Sequence, residues 1–198
     1  MDKYFIGRSL LVGIMIILGA VSCATIPKAS PYSPVYITDR SKYILLPPSD
    51  IEVSLDMPQQ IAGRYGKQEF VMDAWALADE DGINLALLNS FGANMGELKF
   101  SDGTLSFSSP LLPSSIKPEY IVADFQFCFY RVDALAEALK ACGLNLLVEQ
   151  RHIENEGSVE IRTITEDKKI IIEIEKTVTA VRYRNLLRGY AYTLGGAF

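Results

Sequence analysis

Histidine is nearly absent from this sequence, because His152 is the only one among 198 residues. It stands in the polar stretch "EQRHIENEG", where a lone solvated histidine predicts neither a metal ligand nor a general base. A zinc site cannot be completed without a second histidine or a cluster of cysteines. The serines show no nucleophile-elbow pattern, and no glycine-rich turn stands between a strand and a helix. We therefore expect no cofactor, no metal and no enzymatic activity.

An excess of basic residues is also missing. The chain has 19 Lys and Arg against 24 Asp and Glu, a formal net charge of −5. Proteins that bind nucleic acid use Lys and Arg to neutralise phosphates, and no basic patch stands out here. We expect no nucleic-acid partner.

Long apolar runs are scarce, and the clearest follows Lys3 and Arg8 as "SLLVGIMIILGAVS". A short basic region and an apolar segment of this length are typical of an export signal. A comfortable membrane span would need about 20 apolar residues. Cys23 comes directly after "AVS", and the stretch resembles a lipobox, which implies cleavage before Cys23 and diacylation of its thiol. The alternative is an ordinary signal peptide with an incidental cysteine.

The residues after Cys23, "ATIPKASPYSPVYITDRSK", contain three prolines together with serine and threonine. This composition favours an extended tether. We therefore predict a lipoprotein signal peptide at residues 1–22, a flexible tether at 23–42 and a single folded domain at 43–198.

Two further cysteines, Cys128 and Cys142, both stand in strongly apolar stretches. The exported compartment would permit a disulfide between them. Buried free cysteine also behaves as a small hydrophobe, and this second alternative is the one that the apolar surroundings favour.

Short segments with period-two alternation dominate the domain. The first group is "IEVSL", "FVMDAWALA", "INLALL", "GELKF" and "TLSFSS", joined by turn signals such as "DEDG" and "NSFGAN". The second group is "LNLLVEQ", "SVEIRTITED", "KKIIIEIEKT", "AVRYRNL" and "GYAYTL". Together they predict about ten strands in an antiparallel meander.

A helical insertion separates the two groups. Its second part has Val132, Leu135 and Leu139 at helical spacing, and Gly143 can end that helix. The first part, 119–130, is rich in aromatic residues that favour strands. Pro118, however, suits the start of a helix, so we predict two helices in an α+β, mainly β, domain.

The last strands indicate a sheet with two different faces. In "KKIIIEIEKT", Ile170, Ile172 and Ile174 point to one side, whereas Glu173 and Glu175 point to the other. The next strand, "AVRYRNL", offers arginines as cross-strand partners for the two glutamates. Two short helices cover too little of an apolar face this large. The sheet must therefore close into a packed barrel or leave a cavity under the helices.

This order of parts resembles the outer-membrane lipoprotein receptor LolB and its soluble relative LolA. "INLALLNSFGANMGELKF" is similar to the LolB strand–turn–strand stretch, and Trp75 stands where LolB has a tryptophan. "KPEYIVADFQFCFYRVDAL" resembles a segment of a domain-of-unknown-function family of bacterial lipoproteins. These resemblances imply a curved antiparallel half-barrel of about ten strands covered by a two-helix lid inserted mid-chain, LolA/LolB-like.

The resemblance also suggests candidate functional residues. Phe91 and Gly92, in the tip "NSFGAN", correspond to the LolB tip that helps to deliver lipoproteins to the membrane. Packing of Phe91 back onto the sheet is the alternative. Asp124 lies among apolar residues, as a helix-surface acid or as one that fixes the lid through Arg64, Arg162 or Arg182. The predicted ligand-lining residues are Trp75, Leu85, Leu87, Phe107, Phe125, Phe129, Leu135, Ile172 and Tyr183.

We therefore expect a non-catalytic lipoprotein, anchored through Cys23 and facing the periplasm at the outer membrane. It would bind acyl chains or another long apolar ligand, from a lipid or a lipoprotein, and exchange them with a periplasmic carrier protein. The resemblance allows a polyene acyl cargo. The first alternative is a structural or assembly lipoprotein with a filled core that binds a protein partner, and the second is a lipid hydrolase.

Overall fold

The structure is a computed structural model that describes residues 34–101, 103–109, 117–154 and 157–196. The predicted signal peptide, Cys23 and most of the predicted tether lie outside the described residues. In chain order the elements are β1 (Val35–Tyr36), β2 (Lys42–Tyr43), a 3-10 turn (Pro48–Asp50), β3 (Leu55–Tyr65), β4 (Gln68–Ala78), β5 (Gly82–Leu88), β6 (Asn94–Ser101), β7 (Thr104–Ser108), α1 (Pro118–Phe129), α2 (Val132–Ala141), β8 (Asn145–Ile153), β9 (Gly157–Glu166), β10 (Lys169–Lys176), β11 (Ala180–Asn185) and β12 (Tyr190–Gly195).

Ten of the described strands form one antiparallel sheet in the order β7-β6-β5-β4-β3-β12-β11-β10-β9-β8. Two five-stranded meanders are joined where β3 pairs with β12, and β7 and β8 are the outer strands of an open sheet. The predicted fold is confirmed: this is a mainly β, curved half-barrel with a lid of two helices inserted between the meanders.

The first long strand does not lie where the sequence predicts it. Instead of spanning "IEVSL", β3 begins at Leu55 and runs to Tyr65. Ile51 forms an isolated bridge with Tyr130, so the predicted segment docks on the end of α1. Pro58 hides the true strand from sequence reasoning. It is tolerated because β12 pairs with β3 only as far as Gln60, so one side of Pro58 has no neighbouring strand among the described residues.

The register of the second meander confirms the charged outer face. Glu173 pairs with Arg184 and Glu175 with Arg182 across β10 and β11, with ion-pair distances of 2.9 and 3.6 Å. The prediction that Ile170 faces inward is wrong. A bulge shifts the register between Ile170 and Ile172, so Ile170 is exposed while Ile171 and Ile172 are both buried.

Both helices are confirmed at the predicted places. Pro118 occupies the first turn of α1. Gly143 follows α2 with a φ of 83°, which a residue without a Cβ adopts easily. Leu135 and Leu139 are the buried residues of α2. Cys128 and Cys142 are free thiols, with Cys128 buried, so the disulfide alternative is wrong.

The end of the predicted tether belongs to the folded domain. Residues 34–42 include β1 and part of the short ribbon that β1 forms with β2. Val35, Ile37 and Tyr43 are buried in the main core. Residues 34–42 are therefore not a flexible tether, because apolar side chains within this segment are buried in the core. No helix in the described ranges is both long and apolar enough to span a membrane.

A candidate ligand-binding cavity

An open cavity of about 950 Å³ lies between α1 and the part of the sheet formed by β12, β3, β4 and β5. A volume of this size is at the upper end of the range typical of small-molecule sites. Most of the lining side chains are apolar or aromatic. They are Ile61, Tyr65, Phe70, Met72, Ala74, Ala76, Leu85, Leu87, Tyr120, Ile121, Phe125, Tyr190, Tyr192 and Leu194, and the polar or charged members are Gln59, Lys117, Asp124 and Arg188.

The space exists because β4 presents small side chains to α1. Ala74, Ala76 and Ala78 all point to the concave face and are buried. Ala74 and Ala76 border the cavity, opposite Phe125 of the lid. A strand made only to fill a core would carry branched or aromatic residues at such positions. Alanine leaves volume that the single helix above it does not fill.

Three of the predicted lining residues, Leu85, Leu87 and Phe125, border this cavity. The other buried members belong to the packed core instead. They are Phe129, Leu135, Ile172 and Tyr183, and Phe107 is partly buried against the same core. For the first four the reason is the position of the lid, because the C-terminal end of α1 lies against β9, where Arg162 bonds the carbonyl oxygens of Phe127 and Tyr130.

The prediction that Trp75 lines the cavity is wrong. Trp75 lies on the convex face with 49% of its surface exposed, and its indole Nε1 donates a hydrogen bond to Asp56 at 3.0 Å. Strict alternation along "MDAWALA" explains this position, because the alanines and Trp75 must face opposite sides. The sequence prediction does not include the lining residues on β3 and β12, although "GYAYTL" places Tyr190 and Tyr192 on one face.

Asp124 is held by tyrosines and not by an arginine of the sheet. Its carboxylate accepts hydrogen bonds from the hydroxyls of Tyr183, at 2.6 Å, and Tyr190, at 2.8 Å. The rings of Tyr183 and Tyr192 stack with centroids 4.8 Å apart, which continues the aromatic wall. Of the predicted partners, Arg162 binds Glu52 and Glu160 instead.

The electrostatic setting of Asp124 follows from its burial. Desolvation raises the pKa of this carboxyl to about 7, although the hydrogen bonds from Tyr183 and Tyr190 and the charge of Arg188 oppose that rise. The guanidinium of Arg188 lies over the ring of Tyr120, 4.9 Å from its centroid, and donates to the carbonyl oxygen of Tyr36. One end of the cavity therefore combines a carboxyl, tyrosine hydroxyls and a cation.

The chain belongs to the family described as Protein of unknown function (DUF3261). The match covers residues 56–194, which include the lid and the sheet except for one terminal residue of β3 and one of β12. It confirms the predicted membership in a domain-of-unknown-function family. No curated protein matches the chain.

The cavity wall and the tip of the β5–β6 turn both lie inside the segment matched to DUF3261. Phe91 is 93% exposed, so the alternative in which it packs on the sheet is excluded. The Asn89 side chain accepts hydrogen bonds from the backbone N–H groups of Phe91 and Ala93, at 3.0 and 2.9 Å. Gly92 has a φ of 76°, which explains why a glycine follows the ring.

The antiparallel register places this tip beside one end of the cavity. Tyr65 pairs with Tyr190, so the β3–β4 and β11–β12 turns lie at the same end of the sheet as the β5–β6 turn. Leu186 and Leu187 of the β11–β12 turn are exposed there. The β4–β5 turn at the opposite end reads Asp79, Glu80 and Asp81. Within the described ranges, no three His, Cys, Asp or Glu side chains are grouped as a metal site would require.

Proposed function

We propose that this domain binds an acyl chain, or another long apolar ligand, in its open cavity and accepts or transfers it at the outer membrane without catalysis. The observation that carries the proposal is the 950 Å³ cavity with a largely apolar wall. Transfer would be an exchange between two apolar sites, which needs neither a nucleotide nor a metal.

The length of the cavity suits such a ligand. Gln59 and Tyr65 both border it and lie six residues apart on β3, which corresponds to roughly 20 Å at about 3.3 Å per residue. One leaflet of a bilayer has a hydrocarbon layer about 15 Å deep. A single acyl chain therefore has about the right length to lie along β3 beneath α1.

The tip gives the domain a means of contact with a membrane. Phe91 is large, apolar and held away from the fold by the Asn89 turn, and single exposed rings of this kind enter the interfacial region of bilayers. Lys67 and Arg188 stand in neighbouring turns, whereas the opposite end has the acidic Asp79–Asp81 turn. An anionic lipid surface would attract the end that carries Phe91.

The anchor and partners follow from the same proposal. Acyl groups on Cys23 would hold the chain on the periplasmic side of the outer membrane, and two acyl chains give stable attachment. The ligand would come from a lipid or a lipoprotein, presented by a periplasmic carrier protein.

Lipid retention tests the proposal directly. The full-length protein is purified in detergent, extracted with organic solvent and its extract analysed by mass spectrometry, and uptake of a fluorescent fatty acid is measured in parallel. We expect a co-purified lipid or saturable uptake. A protein that carries no lipid and takes up no probe would contradict a carrier.

A second candidate is a structural or assembly lipoprotein that binds a protein partner. One observation favours it: Trp75 and Leu77 are neighbouring exposed apolar residues on the convex face of β4, and Val71 is exposed on the same face beyond Asp73. Large exposed apolar patches mark protein contacts in other proteins. Lipid-free protein in the retention experiment, together with partner binding lost in Trp75→Glu, would support this candidate.

A further inference from the structure

Gln59 is a polar residue in the wall of the cavity. It stands in the middle of β3, between Met57 and Ile61 on the concave face, and only 5% of its surface is exposed. Its side-chain amide nitrogen is buried and has no hydrogen-bond partner among the residues that the structure describes. Its cross-strand neighbour is Ala74, which offers no side-chain acceptor.

Gln126 is another buried glutamine, and its side-chain amide forms hydrogen bonds within the protein. The side-chain oxygen of Gln126 accepts from the Tyr43 hydroxyl at 2.8 Å and from the Leu46 N–H at 3.1 Å. Its amide nitrogen donates to the carbonyl oxygen of Leu46 at 2.8 Å. Both polar side-chain atoms of Gln126 therefore have partners, which is the usual state of buried polar groups.

Packing does not explain why a glutamine occupies position 59. A leucine or methionine there would match the apolar wall and would avoid the cost of burying an unsatisfied donor. Gln59 also lines the cavity, so its side-chain amide lies beside a space that another molecule can occupy. Buried donors without a partner in a binding cavity are typical of sites that read a polar group on the ligand.

We propose that Gln59 is a ligand-binding residue whose amide N–H donates to an oxygen atom on the ligand. The ligand class is then an acyl chain that carries a hydroxyl or carbonyl oxygen partway along it, and not a plain hydrocarbon chain. This inference rests on the proposed function, because it requires the cavity to hold an acyl chain.

The distance between polar groups sets where that oxygen lies. Asp124 and Tyr190 mark the polar end of the cavity, at the level of the Tyr65–Tyr190 pair. Gln59 lies six residues further along β3, or roughly 20 Å away at about 3.3 Å per residue. A chain whose head group stays at the Asp124 end would therefore meet Gln59 near its far end.

A positional series tests this inference. The full-length protein, in detergent, is incubated with equal amounts of an unsubstituted fatty acid and one monohydroxy fatty acid of the same length. The ratio of the two bound ligands is read by native mass spectrometry after release from the micelle. The hydroxyl is then moved stepwise along the chain, and the measurement is repeated for each isomer.

We expect wild-type protein to prefer one hydroxyl position near the far end of the chain by about fivefold to tenfold, the effect of one hydrogen bond. Gln59→Leu should remove this preference, while its thermal midpoint stays the same or rises. Gln59→Met serves as a second apolar variant if the first folds poorly. Gln60→Leu is the matched control, because Gln60 is exposed on the convex face, and it should keep the preference.

The possible failures are distinguishable. Binding of fatty acids with no positional preference in wild type, or a preference that survives in both Gln59 variants, would overturn the role of Gln59 and leave the proposed function standing. Failure to bind any fatty acid would overturn both.

Discussion

The Nη1 atom of Arg162 lies 2.7 Å from the carbonyl oxygen of Tyr130, so a fully buried guanidinium on β9 closes the C-terminal end of α1. The same nitrogen reaches the carbonyl of Phe127 at 3.3 Å. Two carboxylates, Glu52 and Glu160, each lie 2.7 Å from its other nitrogens. The last carbonyls of a helix have no partner within the helix, and here the sheet supplies one.

Arg162→Met is expected to lower the free energy of unfolding by about 3 kcal/mol or more, because it leaves helix carbonyls and the carboxylates without their shared partner. Urea unfolding followed by circular dichroism measures the change. Arg184→Met is the control, since Arg184 is exposed and pairs with Glu173 on the outer face. This change should lower the free energy of unfolding by less than about 1 kcal/mol. Equal losses in the two variants would show that the buried contacts of Arg162 stabilise the fold no more than an exposed ion pair does.

Ala74→Leu is expected to reduce ligand uptake by about tenfold or more, which corresponds to about 1.4 kcal/mol of binding free energy. The larger side chain would occupy the cavity beside Gln59 and would add apolar contacts, so the thermal midpoint should hold or rise. Titration with a fluorescent fatty acid measures the affinity. Ala62→Leu, on the exposed convex face of β3, should bind as wild type does. Unchanged uptake in Ala74→Leu would place the ligand outside this cavity.

Phe91→Glu is expected to leave unfolding unchanged and to slow delivery of a bound fluorescent acyl chain to anionic vesicles severalfold, because a charge replaces the ring at the tip. Val178→Glu makes the same charge change at an exposed apolar residue in the β10–β11 turn, at the other end of the sheet. It should transfer at the wild-type rate. Equal rates for wild type and Phe91→Glu would contradict a membrane role for the tip.

Asp124 gives the protein a specific dependence on pH. Burial raises the pKa of its carboxyl from 3.8 to about 7 in the folded state, so the folded protein holds this proton more tightly than the unfolded chain does. The stabilising contribution is complete below pH 4 and falls as the pH rises towards 7, by up to about 4 kcal/mol. Asp124→Asn should flatten this slope in urea titrations across that range. Asp133→Asn, on the exposed side of α2, should keep the wild-type slope, and a slope that persists in Asp124→Asn would exclude this carboxyl as its source.

The sequence predicts most of the elements because alternation and turn signals are local. The helices, the charge pairs of β10 and β11, and the two meanders all follow from such patterns. The bounds of β3 do not follow from such a pattern, because Pro58 and Gly63 interrupt the usual strand signal. The resemblance to LolB draws attention to Trp75, but the alternation with Ala74 and Ala76 places it on the convex face.

The candidate site was harder to predict because it depends on contacts between distant segments. The partners of Asp124 are set by the register of β11 and β12 against a helix some sixty positions earlier in the chain, which no periodicity reports. The cavity depends on what α1 fails to fill above Ala74. The unmet amide of Gln59 becomes visible only once all of its neighbours are known.

The pairing of β3 with β12 also governs when the domain can fold. Tyr65 on β3 pairs with Tyr190 on β12, roughly 125 residues later. Closing so long a loop is slow. A chain still being synthesised cannot complete the middle of its sheet, so it remains open to chaperones and proteases until β12 has been made. Loss of the C-terminal strand would leave each meander with a bare inner edge, and aggregation would then compete with folding.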